Sequence, residues 1–456
     1  MKSIIELARD LAAGRTTSRA LVEAALGRID DPKGEGRTTF LKVYREAALA
    51  AADASDALRR VGIVPSPLAG IPVSIKDLAD VAGETTLAGS VAMKGQPPAD
   101  ADAPVVARLR AAGAVIVGRT NMTEFAMGGL GINPHYGTPR NPWDRAAGRM
   151  PGGSSSGAAV SVTDGMAVAA LGTDTAGSVR IPAAFCGIAG FKPTARRVPI
   201  DGILPLATSL DSVGPLAPTV TCCALVDSVF AGEAPFVPAP MPLAGLRLAV
   251  PQTLVLDDLD PEVAAAFGAA LTKLSAAGAR ITEIPFAELA ELAHINRQGG
   301  LSVAEAFAWH RRHLEAVGGQ YDPIIASRIG RGVEIGAADY IDILNARARL
   351  VARGDAITSE FDAVVSPTLP IVAPRIDSVT SPEVWLRYNG TIIRNTVVSN
   401  FFDRCAITVP CHKPGDAPVG FNMMGETMGD RRLVSVALAV ESVLCPDPSS
   451  HRDILN

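Results

Sequence analysis

Cysteine and histidine are both scarce in this chain, six of each in 456 residues. The cysteines (Cys186, Cys222, Cys223, Cys405, Cys411 and Cys445) include no C-x-x-C pair. That spacing excludes a disulfide framework and a cysteine metal site, and leaves them as small buried hydrophobes. His310 and His313 stand three apart but without the H-E-x-x-H pattern, so no metal is expected. A basic block is also missing. With a net charge of −5, neither nucleic acid nor an anionic membrane surface is the expected partner. No run approaches the roughly 18 uninterrupted apolar residues of a membrane span. Met1-Lys2-Ser3 leads into an amphipathic pattern instead of a signal-peptide core, so a cytoplasmic location is expected. No repeat of fixed period is visible.

What is present favours a large core. The chain is 48% hydrophobic and 20% charged, and its length allows two or three average domains or one large α/β unit. Helical spacing runs through Ile4–Leu11, Ser18–Ile29 (with Thr17 or Ser18 as N-cap), the Ala-rich stretch Glu46–Arg60 and Pro104–Ala112. Phe40–Tyr44, Gly70–Asp77 and Ala114–Gly118 read as strands. The apolar run Ala158–Leu171 reads as a helix, with Gly172 as its exit. Four prolines between Ala231 and Leu243 mark a linker. Beyond it, Leu246–Pro251 and Phe361–Ser366 read as strands. Pro261–Ala277 and much of 287–353 read as helical, with a break at Gly299-Gly300. Alternation of helix and strand predicts an α/β fold with a mixed, mainly parallel sheet covered by helices on both faces.

The most informative stretch is Gly152 to Arg180. It carries Gly152-Gly153-Ser154-Ser155-Ser156-Gly157 and, after the apolar run, Gly172-Thr173-Asp174-Thr175-Ala176-Gly177-Ser178-Val179-Arg180. Ser154 and Ser178 each follow glycine, which lets the backbone approach a substrate closely. Small residues after such a turn can aim several N–H groups at one point, as an oxyanion hole requires. The chemistry this suits is hydrolysis at an acyl group.

With Lys76, these serines carry a resemblance. Gly70-Ile-Pro-Val-Ser-Ile-Lys76-Asp77, Pro151-Gly-Gly-Ser154-Ser155-Ser156-Gly157 and Gly172 through Gly187 stand in the order of the amidase signature family. Asn121-Met-Thr-Glu-Phe125-Ala-Met127-Gly128, Gly190-Phe-Lys192-Pro193-Thr194 and Ser209-Leu-Asp211-Ser-Val-Gly214-Pro215 are similar to it too. The likeness is dense from about 63 to 220 and thinner elsewhere, Asn400 to Gly425 included. It implies one amidase signature domain over residues 1–456, with its catalytic core at about 63–220 and a helical region at about 287–353 that varies with substrate.

The resemblance further implies a Ser-Ser-Lys triad: Ser178 as nucleophile, Ser154 as bridging serine after a cis Gly153–Ser154 peptide, and Lys76 as the base. A lysine serves as base only when burial or a like charge lowers its pKa from about 10.4, and the apolar strand Ile71–Ile75 could bury this one. The N–H groups of Thr175, Ala176, Gly177 and Ser178 would form the oxyanion hole. Ser155 would support the site, and Asp174 and Arg180 would pair to fix the loop, with a carboxylate-reading role for Arg180 as the alternative. Ala176 and Ser156 stand where relatives often have glycine. Met127, Gly128 and Gly129 would line the acyl side, the glycines leaving room there. Phe307, Trp309 and His310 fit either an apolar wall of the pocket or the buried face of a helix. With no evident arginine cluster, a neutral amide is the expected substrate.

The expected activity is hydrolysis of a small carboxylic amide through an acyl-enzyme, without a cofactor, by a chain that could form a homodimer. The glutaminase component of a tRNA-dependent amidotransferase is the alternative. Against it, Pro193-Thr-Ala-Arg-Arg-Val-Pro199 lacks that component's Tyr-Gly-Arg form, and Val419–Met424 differs from its ending. A catalytically silent scaffold on the same fold is the third reading, and the filled triad positions speak against it.

Overall fold

Apolar strand segments separated by amphipathic helices build one wide sheet in the computed structural model, which describes residues 1–445. Residues 446–456, the end of the expected unit, lie outside the described set. The strands are β1 Phe40–Val43, β2 Pro72–Lys76, β3 Val115–Thr120, β4 Ala169–Asp174, β5 Ala189–Lys192 and β6 Ser212–Ala217. They continue as β7 Arg247–Pro251, β8 Arg280–Ile284, β9 Ala363–Pro367, β10 Ala406–Pro410 and β11 Gly420–Met424. Their spatial order is β1-β3-β2-β4-β6-β5-β10-β11-β9-β7-β8.

The sheet is mixed and flanked by helices, as expected, but parallel pairing does not predominate. Four junctions are parallel (β2 with β3 and β4, β7 with β8 and β9) and six antiparallel. The reason lies in the connections. Parallel neighbours need a crossover, whereas β10 turns directly into β11 through 411–419 and no helix lies between β5 and β6.

Burial along the strands shows which are covered. In β2, β3, β4, β6, β9, β10 and β11 every residue is buried, so both faces are packed. The edge strands β1 and β8 alternate or open to solvent. Helices occur where the spacing places them, including Ile4–Ala12, Ser18–Asp30 capped by Thr17, and Arg45–Arg60. Gly299 and Gly300 break the helical region with φ of 110° and 63°.

The run Ala158–Leu171 is where the expectation fails. A helix occupies only Ser156–Thr163, and Ala169 onward is strand β4. Asp164-Gly165 ends the helix, Gly165 standing at φ 67°. An unbroken apolar run does not distinguish a buried helix from a buried strand, but the Asp-Gly pair is a turn signal. The proline-rich segment is irregular, as expected of a linker. It joins strands of the same sheet, since β7 pairs with β9.

Packing ties the far half of the sheet to its helices. Phe421 on β11 is fully buried and stacks on Phe267 of the helix Pro261–Ala276, with ring centroids 5.4 Å apart. Phe421→Ala should destabilise the protein by about 3–5 kcal/mol, read as a lower urea midpoint. A midpoint unchanged within error would show that this stack does not support the sheet.

Candidate active site

Two loops at the ends of neighbouring strands converge here. Lys76 closes β2, whose neighbours β3 and β4 both run parallel to it. The side chain is completely buried. Its Nζ donates to Ser154 Oγ and to Thr173 Oγ1, each at 2.7 Å. Burial, outweighing the pull of the Asp174 and Asp211 carboxylates, draws its pKa down to about 7. A lysine in that state is neutral over part of the physiological range.

Ser154 is buried and follows a cis Gly153–Ser154 peptide, as expected. Glycine at 153 has a packing reason. A Cβ there would lie 2.6 Å from Gly131 N and 2.7 Å from Thr123 Oγ1. Ser155 is also buried, and its Oγ donates to Thr173 O at 3.4 Å. Its N–H donates to Ser178 O at 3.3 Å, which joins the two serine loops.

Asp174, at the end of β4, organises the second loop. Arg180 donates to it twice, through Nε to Oδ2 and Nη2 to Oδ1, both at 3.0 Å. Both side chains are fully buried. Burial alone would push the Asp174 carboxyl up, but Arg180, Lys192 and Asn400 together hold it down at about 2. Gly177 N–H also donates to Asp174 Oδ1, at 2.8 Å, and Val179 N–H to Oδ2 at 3.2 Å. The residue at 177 has φ 123°, and a Cβ there would lie 2.1 Å from Thr396 Oγ1, so only glycine fits.

This arrangement corrects one expectation. The Gly177 N–H is spent on Asp174 and is not free to hold an oxyanion. The N–H groups of Thr175, Ala176 and Ser178 have no protein acceptor among the described residues. Arg180 reads Asp174, Thr396 O and Asn400, not the cavity, so the ion-pair expectation stands over the carboxylate-reading one.

Ser178 lies on the wall of a cavity of about 360 Å³ that Met127, Gly128 and Gly129 also line. Its hydroxyl makes no protein hydrogen bond among the described residues, with Ser154 or any other side chain. A larger cavity of about 550 Å³ lies elsewhere, against the N-terminal helices and Cys186, and touches none of these serines.

The decisive comparison is with known families. The family described as Amidase matches residues 20–434. The chain belongs to the amidase family. This amidase is 38% identical to the 2-amino-5-chloromuconic acid deaminase of Comamonas testosteroni, over 97% of this chain and 96% of that protein. It is 36% identical to a glutamyl-tRNA(Gln) amidotransferase subunit of Chloroflexus aggregans, over 95% and 94%. A solved amidase structure superposes with a TM-score of 0.88 at 32% identity, covering 97% of this chain and 100% of that one. Native peptide amidase from Stenotrophomonas maltophilia gives 0.78 at 29% identity, covering 97% of both chains. The protein is an amidohydrolase that acts on carboxylic amides.

The pocket of this amidase differs from the expectation in two respects. The space left by the glycines is occupied: a Cβ on Gly128 would meet Trp385 at 2.7 Å, and one on Gly129 would meet Ile393 at 3.1 Å. And arginines are present, since Arg328, Arg331 and Arg394 line the cavity. They come from segments far along the chain, which is why no cluster is visible in the sequence. Phe307, Trp309 and His310 do not line it. His310 is buried, its ring 4.4 Å from Phe125 and its Nδ1 2.9 Å from Tyr321 Oη, as the helix-face reading has it.

Three residues around the serine loops carry no role in the sequence reading. Thr173 holds Lys76, Thr396 Oγ1 donates to Ala176 O at 2.7 Å, and Asn400 Nδ2 donates to Asp174 Oδ1 at 2.9 Å. Thr173 was within reach, two residues before Thr175 in the motif. Among the described residues, no group of three or more His, Cys, Asp or Glu side chains could hold a metal, and no helix is long and apolar enough to cross a membrane.

Removing one member of a buried pair leaves an uncompensated charge, at a cost of about 3–5 kcal/mol. Arg180→Met should therefore lower stability by that amount in a chemical-denaturation experiment. A change below about 0.5 kcal/mol, at the scale of ordinary surface substitutions, would mean that Asp174 is held by its other donors alone.

Proposed function

We propose that this amidase works through a Ser178 acyl-enzyme, with Ser154 passing the proton between Ser178 and Lys76. The observation that carries this reading is the 2.7 Å contact from Lys76 Nζ to Ser154 Oγ, made by a fully buried lysine whose pKa lies near 7. A hydroxyl becomes a useful nucleophile when a neighbour accepts its proton. In the first half-reaction Ser178 Oγ adds to the amide carbonyl carbon. Its proton moves to Ser154, whose own proton moves to Lys76.

The carbonyl oxygen, now an oxyanion, takes the N–H groups of Thr175, Ala176 and Ser178; one such donor is typically worth about 10²–10³ in rate. The relay then returns the proton to the departing nitrogen, the C–N bond breaks, and ammonia or an amine leaves. Water repeats the sequence on the acyl-enzyme and releases the carboxylate. Asp174 and Arg180 act by holding the loop. No cofactor enters the scheme. The enzyme is read as cytoplasmic and as acting on a small molecule; the net charge of −5 without a basic block speaks against nucleic acid or an anionic membrane surface as its partner.

A second reading has a specific observation behind it, the 36% identity to an amidotransferase component. That reading requires glutamine as substrate and partner chains to use the ammonia. Assay of the purified single chain on an amide panel with glutamine included separates the two. Turnover of amides other than glutamine supports the stand-alone enzyme. Activity on glutamine alone, or only with added partners, supports the amidotransferase reading.

The triad makes two predictions. A serine-directed phosphonate should label the wild type and not Ser178→Ala, and Ser154→Ala should lower turnover by about 10²–10⁴, the usual worth of a positioned proton-transfer group; undiminished labelling of Ser178→Ala would overturn the assignment. Because Lys76 accepts a proton only when neutral, kcat/KM should rise with pH through a limb near 7 and level off above it. A profile falling across that range would exclude a neutral Lys76 as the base.

A further inference from the structure

The cavity that Ser178 lines carries charge of one sign. Arg328, Arg331 and Arg394 line it, and no aspartate or glutamate does among the described residues. Arg394 is accounted for by the protein: it donates to Asp257 O and lies within the field of Asp257 and Asp258. Arg328 is not. Its Nη1 donates to Met127 O at 2.5 Å and its guanidinium lies 5.0 Å over the Trp385 ring. No carboxylate pairs with it among the described residues. Burial, and then the neighbouring Arg331, draw its pKa down to about 10, so it stays charged at neutral pH.

A second group faces the same space. Asn389 lines the cavity and is 4% exposed. Its Oδ1 accepts from Gly129 N–H at 2.8 Å, which fixes the orientation of the amide and leaves the NH₂ without a protein partner among the described residues. A guanidinium held by a carbonyl and a ring face, beside an unused amide donor, presents only donors to whatever enters. Arginine's planar fork matches a carboxylate in this setting, and a half-buried guanidinium without a counter-charge is stabilised when a ligand supplies one.

We propose that Arg328, supported by Arg331 and the Asn389 amide, binds a free carboxylate of the substrate, so that the amide hydrolysed is the monoamide of a dicarboxylic acid. The inference rests on the Ser178 reading above, since it takes Ser178 to mark the reacting end of the cavity. It also separates this substrate class from glutamine. With no acidic residue on the wall, an α-ammonium group would meet arginines and no counter-charge. An acid amide that lacks the ammonium is the better match.

The test uses the full chain carrying Ser178→Ala, so that bound amide is not consumed. Malonamate, succinamate, glutaramate and adipamate are each titrated calorimetrically against the corresponding diamide, and glutaramate also against glutamine. At least one monoamide should bind at least tenfold more tightly than its diamide, and glutaramate more tightly than glutamine. Adding Arg328→Met should reduce the monoamide preference tenfold or more, and Arg328→Lys should restore part of it. Arg331→Met, at an exposed position, should weaken the preference less and serves as the variant that risks no buried contact.

Equal or absent binding in every pair, or a preference that survives Arg328→Met, overturns the proposal. Phosphonate labelling of the wild type, run in parallel, keeps the two readings apart. Labelled Ser178 with no monoamide preference removes the carboxylate site alone. An unlabelled protein that still prefers monoamides removes the nucleophile assignment and leaves the carboxylate site supported.

Discussion

The Asp174 carboxylate is the fixed point of the site. It sits fully buried at the end of β4 and takes the Arg180 guanidinium, the Asn400 amide and the N–H groups of Gly177 and Val179. A carboxylate so supplied with donors stays ionised in spite of burial. The loop bends around it. Gly177 turns its N–H inward, Ser178 is left on the cavity wall, and the remaining N–H groups of the loop are free to face a ligand. Asn400 and Thr396 bring the C-terminal third of the chain into the same arrangement, so the loop that carries Ser178 is fixed by segments distant in sequence.

Motif and geometry divide the work. The local residues were legible because each needs a particular type at a particular place: a lysine ending an apolar strand, glycine before each serine, an acid and an arginine six apart. Glycine at 177 and at 153 is demanded by neighbours, Thr396 and the Gly131 backbone, that no sequence pattern shows. Most helices and strands were legible for the same local reason, their hydrophobic period. Where period carries no information, in the small-residue run from Ala158 to Leu171, the pattern does not separate the start of strand β4 from a continued helix.

What stayed hidden depends on contacts between distant segments. Arg328 is one arginine among many in a helical region, and nothing near it in sequence tells that Met127 and Trp385 hold it over the cavity. The same holds for Asn389, whose oxygen meets Gly129 across 260 positions. The balance of parallel and antiparallel junctions was hidden too, because it follows from which connections lack a crossover helix. And the oxyanion hole expected from sequence counts the N–H groups of Thr175, Ala176, Gly177 and Ser178, whereas that of Gly177 serves Asp174.

Lys76 has no exposed surface, and its two hydrogen-bond partners are the hydroxyls of Ser154 and Thr173. Thr173 belongs to β4, and in the proposed reaction Ser154 is the partner through which Lys76 exchanges its proton with the reacting atoms. In the proposed reaction, a proton that reaches Lys76 is therefore insulated from buffer, and its way back leads through the serine that delivered it. Bulk solvent and the site then run on separate clocks: exchange with water sets how many enzyme molecules start in the neutral form, while the proton taken up during attack remains beside the nitrogen that leaves. The wall that lowers the lysine's affinity for a proton is also what keeps that proton for the leaving group.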